Sequence, residues 1–322
     1  MTRPGLKRGK MQISRLIAPL SGEQPQKVLS LLNEVFGESE MEMAKPSFSG
    51  EEDAYNRDIL YTAHEGAELL GTVHLTIPRD MRIIGGLSGV CITPSARRRG
   101  ICKALVECFL ADFDKEGGEA VFLGTGNPVA AKLYASAGFS FLAGSFVMAR
   151  VREDNYLDFT EKYFSGAAGQ FKMVEGSPAF RYPLVPLVLY QGKGLIMDCN
   201  AELFSSMYIA QRSCAGLYPR YANIVKNGGF FAGAVSDGVL FAVASILPTP
   251  SGRRMDFFAH PSAEHILPDL IKFCEARGAE YALISDADED KKSFLISQGY
   301  KKEERRMYSS GSISVNCMVM RK

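Results

Sequence analysis

The sequence predicts a mixed α/β chain built as two tandem domains, each a mixed central β-sheet flanked by helices. Three observations carry this. The chain has 322 residues, 46% apolar and 23% charged, enough for two cores of ordinary size. Its first half orders strand-period and helix-period patterns as β-α-β-β-β-α-β-α-β, which gives a mixed sheet with helices on both faces. That order then recurs. ITPSARRR (92–99) is matched by AHPSAEHI (259–266), GEAVFL (118–123) by GAEYAL (278–283), and KLYASAGF (132–139) by SFLISQGY (293–300). A repeat this long marks a duplicated domain, not a solenoid. The expected division is a first domain over 1–152, a connection over 153–184 with one helical piece, and a second domain over 185–322.

Along the chain, 11–20 reads as a strand. A helix follows over 22–37, with Val28, Leu31, Leu32 and Phe36 on one face. RDILYTAHE and LLGTVHLTIPR form a hairpin around EGAE, and MRIIGGLSGVCITP is a third strand. After Arg97, Arg98 and Arg99 the apolar residues Ile101, Ala104, Leu105, Cys108 and Phe109 fall at helical spacing, a helix of about four turns that Gly117 and Gly118 stop. EAVFLG is a buried strand. NPVAAKLYASAG is a helix with Asn127 as cap and Pro128 first. FSFLAGSFVMARV is a further strand. In the second half AELFSSMYIAQRSC reads as helical, and FFAGAVSDGVLFAVASI as a hairpin on an Asp-Gly turn. RRMDFFAHPSA is a strand, EHILPDLIKFCEARG a helix, AEYALIS a strand, DKKSFLISQG a helix and YKKEERRMY a strand.

Composition excludes several classes. A net charge of +1 provides no global field to recruit nucleic acid or an anionic membrane. Aromatics are not interleaved with the three arginines, which further disfavours a nucleic-acid binder. No apolar run reaches the ~18 residues of a membrane span, and the basic N-terminus lacks a signal-peptide core. Seven scattered cysteines without a CxxC pair read as reduced thiols of a cytoplasmic protein. The four histidines are not spaced as metal ligands, so no metal is expected. A homo-oligomer is allowed, with no heptad to mark its interface.

Three arginines before a glycine at a strand-to-helix corner allow two readings: a solvated basic turn, or a seat for an anion. A helix start exposes unpaired N–H groups and the positive end of its dipole. Glycine lets an anion approach the backbone, and arginine supplies forked donors. The corner from Arg97 through Gly100 to Lys103 therefore suits a diphosphate.

The surrounding residues resemble the GNAT N-acetyltransferase superfamily. Its Gln/Arg-x-x-Gly-x-Gly/Ala signature is met by Arg97 and Gly100, with Cys102 where Gly or Ala is usual. The preceding strand is Val90-Cys91-Ile92-Thr93-Pro94, and Asn127, Leu133, Tyr134, Gly138 and Phe139 follow in the family's order. The resemblance covers 12–151; residues 185–320 follow it in order only. It implies acetyl-CoA as cosubstrate. The diphosphate would rest on the backbone of Arg98, Arg99, Gly100, Ile101, Cys102 and Lys103. The pantetheine arm would lie along Val90, Cys91 and Ile92, and Asn127 would cap its helix beside the ligand. It further implies a small-molecule or peptide amine as acceptor, attacking the thioester directly, with Tyr134 protonating the departing thiolate.

Many relatives carry a glutamate on the fourth strand. Here that stretch is Ile83 to Gly89 without a carboxylate. Glu65 and Asp80 are base candidates by rough location, and the glycines could make room for a bulky acceptor or mark a bulge. The missing carboxylate keeps open a non-catalytic, CoA-sensing module. In the second copy Glu264-His265 stands in place of the arginines and Leu295 in place of the tyrosine, so that copy is not expected to hold coenzyme A and would instead wall the acceptor cleft or fix the domain pair. The tandem layout is similar to Eis-like acetyltransferases, without their third domain.

Overall fold

The computed structural model describes residues 10–190 and 194–322. The first half comprises β1 (Gln12–Ile17), α1 (Gln24–Phe36), α2 (Glu38–Ser49), β2 (Asn56–Glu65), β3 (Glu68–Pro78), β4 (Ile84–Ile92), α3 (Ile101–Lys115), β5 (Ala120–Gly124), α4 (Pro128–Ser136), β6 (Ser140–Phe141) and β7 (Val147–Val151). Then follow α5 (Tyr156–Tyr163), β8 (Lys172–Glu175), α6 (Leu184–Leu189), β9 (Ile196–Asp198), β10 (Leu203–Phe204) and α7 (Leu217–Lys226). The chain ends with β11 (Phe230–Ser236), β12 (Val239–Thr249), β13 (Gly252–Ala259), α8 (Leu267–Glu275), β14 (Tyr281–Ser285), α9 (Glu289–Ser297), β15 (Lys301–Ser310) and β16 (Ile313–Arg321).

Two seven-stranded sheets result, ordered β1-β2-β3-β4-β5-β7-β6 and β15-β16-β14-β13-β12-β11-β8. Read from β8, the second repeats the first strand for strand. Each has one parallel pair at the same place, β4–β5 and β13–β14. The duplication read from three short matches thus extends to topology, and the fold class is a mixed α/β tandem.

Period-2 patterning decides what each face of the first sheet meets. Ile59, Tyr61, Val73, Leu75 and Leu87 pack with Leu105, Phe109 and Phe113 of α3. Leu60 and Cys91 face Val28, Leu31 and Leu32 of α1 and Phe48 of α2. Phe36, expected on the buried face of α1, stays 46% exposed at the helix end.

The halves share one hydrophobic cluster. Ile84, Ala120, Phe122, Val147 and Ala149 of the first sheet join Tyr182, Leu184, Val188 and the core of the second. Main-chain bonds bridge the halves: Arg82 N–H to Gly238 O (3.0 Å), and Phe146 N–H to Gln211 O (2.7 Å). The side chain of Arg181 pairs with Glu52, and Asn56 donates to Pro178 O (3.0 Å). Within residues 153–184, α5 lies on the shared core and β8 pairs with β11.

Some expectations were wrong. Residues 201–214 are not helical. Asp198 Oδ1 takes the N–H groups of Asn200 (2.9 Å) and Ala201 (3.2 Å), and Arg220 holds the carbonyl of Glu202 (2.5 Å), so side chains satisfy the backbone in a non-helical path. The helix before β11 is α7 instead. FSFLAGSFVMARV is a hairpin, β6–β7, rather than one strand.

Candidate active site

The corner after β4 has the shape an anion seat requires. Pro94–Ala96 forms one turn of 3₁₀-helix. Arg98 then adopts φ 62° and Gly100 φ 79° before α3 begins. A Cβ on Gly100 would meet nothing within 4 Å, so its glycine answers to backbone conformation and not to crowding. No side chain caps α3, and the first bond into it runs from Ala104 N–H to Gly100 O (3.1 Å). The opening N–H groups of this 15-residue helix therefore face outward with the positive end of the dipole. Arg97, Arg98 and Arg99 are exposed. Arg97 Nε reaches the carbonyl of Ile92 (3.4 Å), and Arg99 pairs with Glu65 (2.6 Å). Glu65 is thus engaged in holding the corner. Asp80 lies exposed in the β3–β4 turn, at the other end of β4. Neither stands at the centre of the sheet.

β4 and β5 pair only from Ile84↔Ala120 to Gly86↔Phe122 and then separate. Just beyond, the β3–β4 register slips between Thr72 and His74. There Gly89 adopts φ 56° and its carbonyl takes the Thr72 hydroxyl (2.8 Å), a bulge that turns the strand away. Val90, Cys91 and Ile92 lie past it, Cys91 buried and the others half-buried. Tyr134 on α4 is 6% exposed and meets Phe139 edge-on at 5.9 Å. Burial, then the neighbouring Cys102 and Cys91 thiols, raises its phenol above the ordinary value. Burial likewise pushes Cys91 and Cys102 up to about 11. Asn127 Oδ1 accepts from Val129 N–H (2.9 Å) and Ala130 N–H (3.4 Å). Asn127→Ala should cost about 1 kcal/mol, read as a lower melting temperature.

A second cleft opens on the α1–α2 face of the sheet. Leu32, Met43, His74, Ser88, Gly89 and Tyr182 are among its lining, with Glu40 at α2 and Ala215 from the second half. Inside it a hydrogen-bonded chain runs across three strands. Ser88 Oγ meets His74 Nδ1 (3.0 Å), and His74 Nε2 meets Asp58 Oδ1 (2.8 Å), which also accepts from the Thr76 hydroxyl (2.6 Å). Burial would raise Asp58. The hydrogen bond and charge of His74, the Thr76 hydroxyl and the Arg181 charge outweigh it and hold the carboxyl below its ordinary value. The sequence carries one signal for this: Thr72, His74 and Thr76 sit at period 2 in a strand that is otherwise apolar after Glu68.

Gly86 does not make room for an acceptor. A Cβ there would stand 1.5 Å from the ring of Tyr182, so the chain's own second half fills that space, and Gly89, not Gly86, marks the bulge. In the second copy β13 and β14 also separate after two paired positions. The residues at its corner are Glu264 and His265 in a 3₁₀ turn, and Leu295 is fully buried. Among the described residues no group of three or more His, Cys, Asp or Glu side chains could hold a metal ion, and no helix is long and apolar enough to cross a membrane.

Fold and corner together describe a mixed-sheet protein whose central parallel pair opens beside an uncapped helix start. A comparison of sequence is more particular: the model of the acetyltransferase (GNAT) family matches residues 26–139, within the first half of the chain. Among solved structures it is similar to the GNAT family N-acetyltransferase YhbS of Escherichia coli in complex with CoA (18% identity, 48% of this chain and 86% of that one, TM-score 0.35). It is also similar to an acyl-CoA N-acyltransferase from Pseudomonas aeruginosa (19%, 44% and 100%, 0.36) and a GNAT family acetyltransferase from Brucella melitensis in complex with acetyl-CoA (14%, 45% and 90%, 0.34). No curated protein matches the sequence.

Proposed function

We propose that the protein is an acyl-CoA-dependent N-acyltransferase that moves acetyl from acetyl-CoA to a primary amine. The observation that carries this is the left-handed Arg98–Gly100 turn opening α3 beside a parallel pair that splays at a bulge. The turn offers its N–H groups to a diphosphate. The edge of β4 past Gly89 offers main-chain groups to an extended pantetheine arm, and an N–H there can hold the thioester oxygen as charge develops on it. Tyr134 keeps its proton at neutral pH, so it can donate to the thiolate as it leaves. Tyr182 and Ala215 bring the second half to the acceptor side. The amine is a small molecule or a peptide.

Calorimetry with acetyl-CoA and CoA tests the first step. Arg98→Glu puts a like charge beside the diphosphate and should weaken binding about tenfold or more; heats unchanged by the substitution would remove the corner from its role. A screen of amines with acetyl-CoA, reading free thiol, tests the second. The absence of a carboxylate between Ile84 and Ile92 favours a non-catalytic CoA-binding module as the second reading, and binding without turnover in that screen would select it.

A further inference from the structure

We propose that Ser88 and His74, with Asp58 behind them, form the relay that takes the proton from the acceptor's ammonium group. This rests on the acetyltransferase reading above and supplies the proton acceptor that β4 lacks as a carboxylate.

With His74 neutral, the hydrogen bonds run in one direction. An ionised carboxylate only accepts, so Asp58 Oδ1 receives the Thr76 hydroxyl and the Nε2–H of His74. That leaves the Nδ1 lone pair of His74 toward the Ser88 hydroxyl, 3.0 Å away. Asp58 and His74 are 3% and 4% exposed, whereas Ser88 is half-buried. The chain therefore begins in the interior and ends on the cleft that Ser88, Gly89 and His74 line. Ser88 immediately precedes the bulge where β4 leaves β5, the place the thioester carbonyl would occupy.

A polar core without further purpose would also satisfy these bonds. Yet a buried carboxylate carries a desolvation cost that apolar packing avoids, and this one borders an open cleft. Its surroundings are named groups: the Phe48 ring of α2 packs on His74 at 4.8 Å, Arg181 paired with Glu52 lies behind Asp58, and Tyr182 and Glu40 face the same cleft.

In the step, an ammonium N–H passes its proton to Ser88 Oγ while the Ser88 proton moves to His74 Nδ1, giving an imidazolium beside Asp58. The freed lone pair attacks the thioester carbonyl. The C–N bond forms, the C–S bond breaks, and the thiolate takes the proton of Tyr134. The second proton lost by the new amide nitrogen replaces that one through solvent. The relay then returns its proton to water, so each turnover releases one.

The test uses the best alkylamine of the amine screen and its β,β,β-trifluorinated analogue, whose nitrogen is already unprotonated at neutral pH. His74→Gln and Ser88→Ala should each lose about 10²-fold or more in kcat/KM with the alkylamine, and less than about 5-fold with the fluorinated amine, while the calorimetric heat with CoA is unchanged. A merely structural role would reduce both amines equally, and that result overturns the relay. A stoichiometric burst of free CoA without amine, abolished by Ser88→Ala, also overturns it, in favour of an acyl-serine route. A screen without turnover by the unaltered protein removes the acetyltransferase reading and the relay with it.

Discussion

Tyr134→Phe is expected to lower turnover by about 10²-fold or more with CoA binding intact. The ring of Tyr134 packs edge-on against Phe139 and is part of the core between the sheet and α3. Phenylalanine keeps that contact and removes only the oxygen. Among the described residues the hydroxyl has no hydrogen-bond partner, so its loss strands no donor or acceptor. The substitution therefore tests the proposed proton delivery to the departing sulfur alone. Thiol release from acetyl-CoA in the presence of a turned-over amine measures it, and calorimetry with CoA controls for the site. Undiminished turnover would take Tyr134 out of the mechanism.

Gly86→Ala is expected to be the most destabilising single-methyl change in the first sheet. Gly86 is buried in the middle of β4, and the added carbon would overlap the Tyr182 ring at 1.5 and 1.6 Å. Tyr182 is 2% exposed and cannot swing to water without opening the shared cluster. Overpacking of this degree costs about 3 kcal/mol or more, and the melting temperature should fall by roughly 2–4 °C for each kcal/mol. Gly86→Ala combined with Tyr182→Ala should recover part of that loss, since the two act on one contact. Simple addition of the two losses would place the strain elsewhere.

What could be read from the sequence was what is local in it. The anion corner lies within ten consecutive residues, and the Asn127 cap bonds two and three residues ahead. Proline, glycine and asparagine announce such geometry through their own backbone preferences. The Asp58–His74–Ser88 chain joins residues 14 and 16 positions apart on three strands, and only register brings them together. Glu65 illustrates the same limit: its place at Arg99 depends on a pairing 34 residues long. Helix α2 gives little signal in the sequence, because ESEMEMAKPSFS has a weak apolar face and an internal proline. The glycines at 85 and 86 are visible in the sequence, but the reason for Gly86 is a tyrosine in the other half of the chain.

That tyrosine gives the duplication a direction. Once the second copy had set Tyr182 on Gly86 and joined its apolar flank to Ile84, Ala120 and Phe122, neither copy could leave without baring a greasy surface. Gene fission at the midpoint would be expected to yield two aggregating fragments. Substitutions at Arg181, Tyr182 and Ala215 can reshape the cleft on the α1–α2 face while the first half's own residues stay untouched.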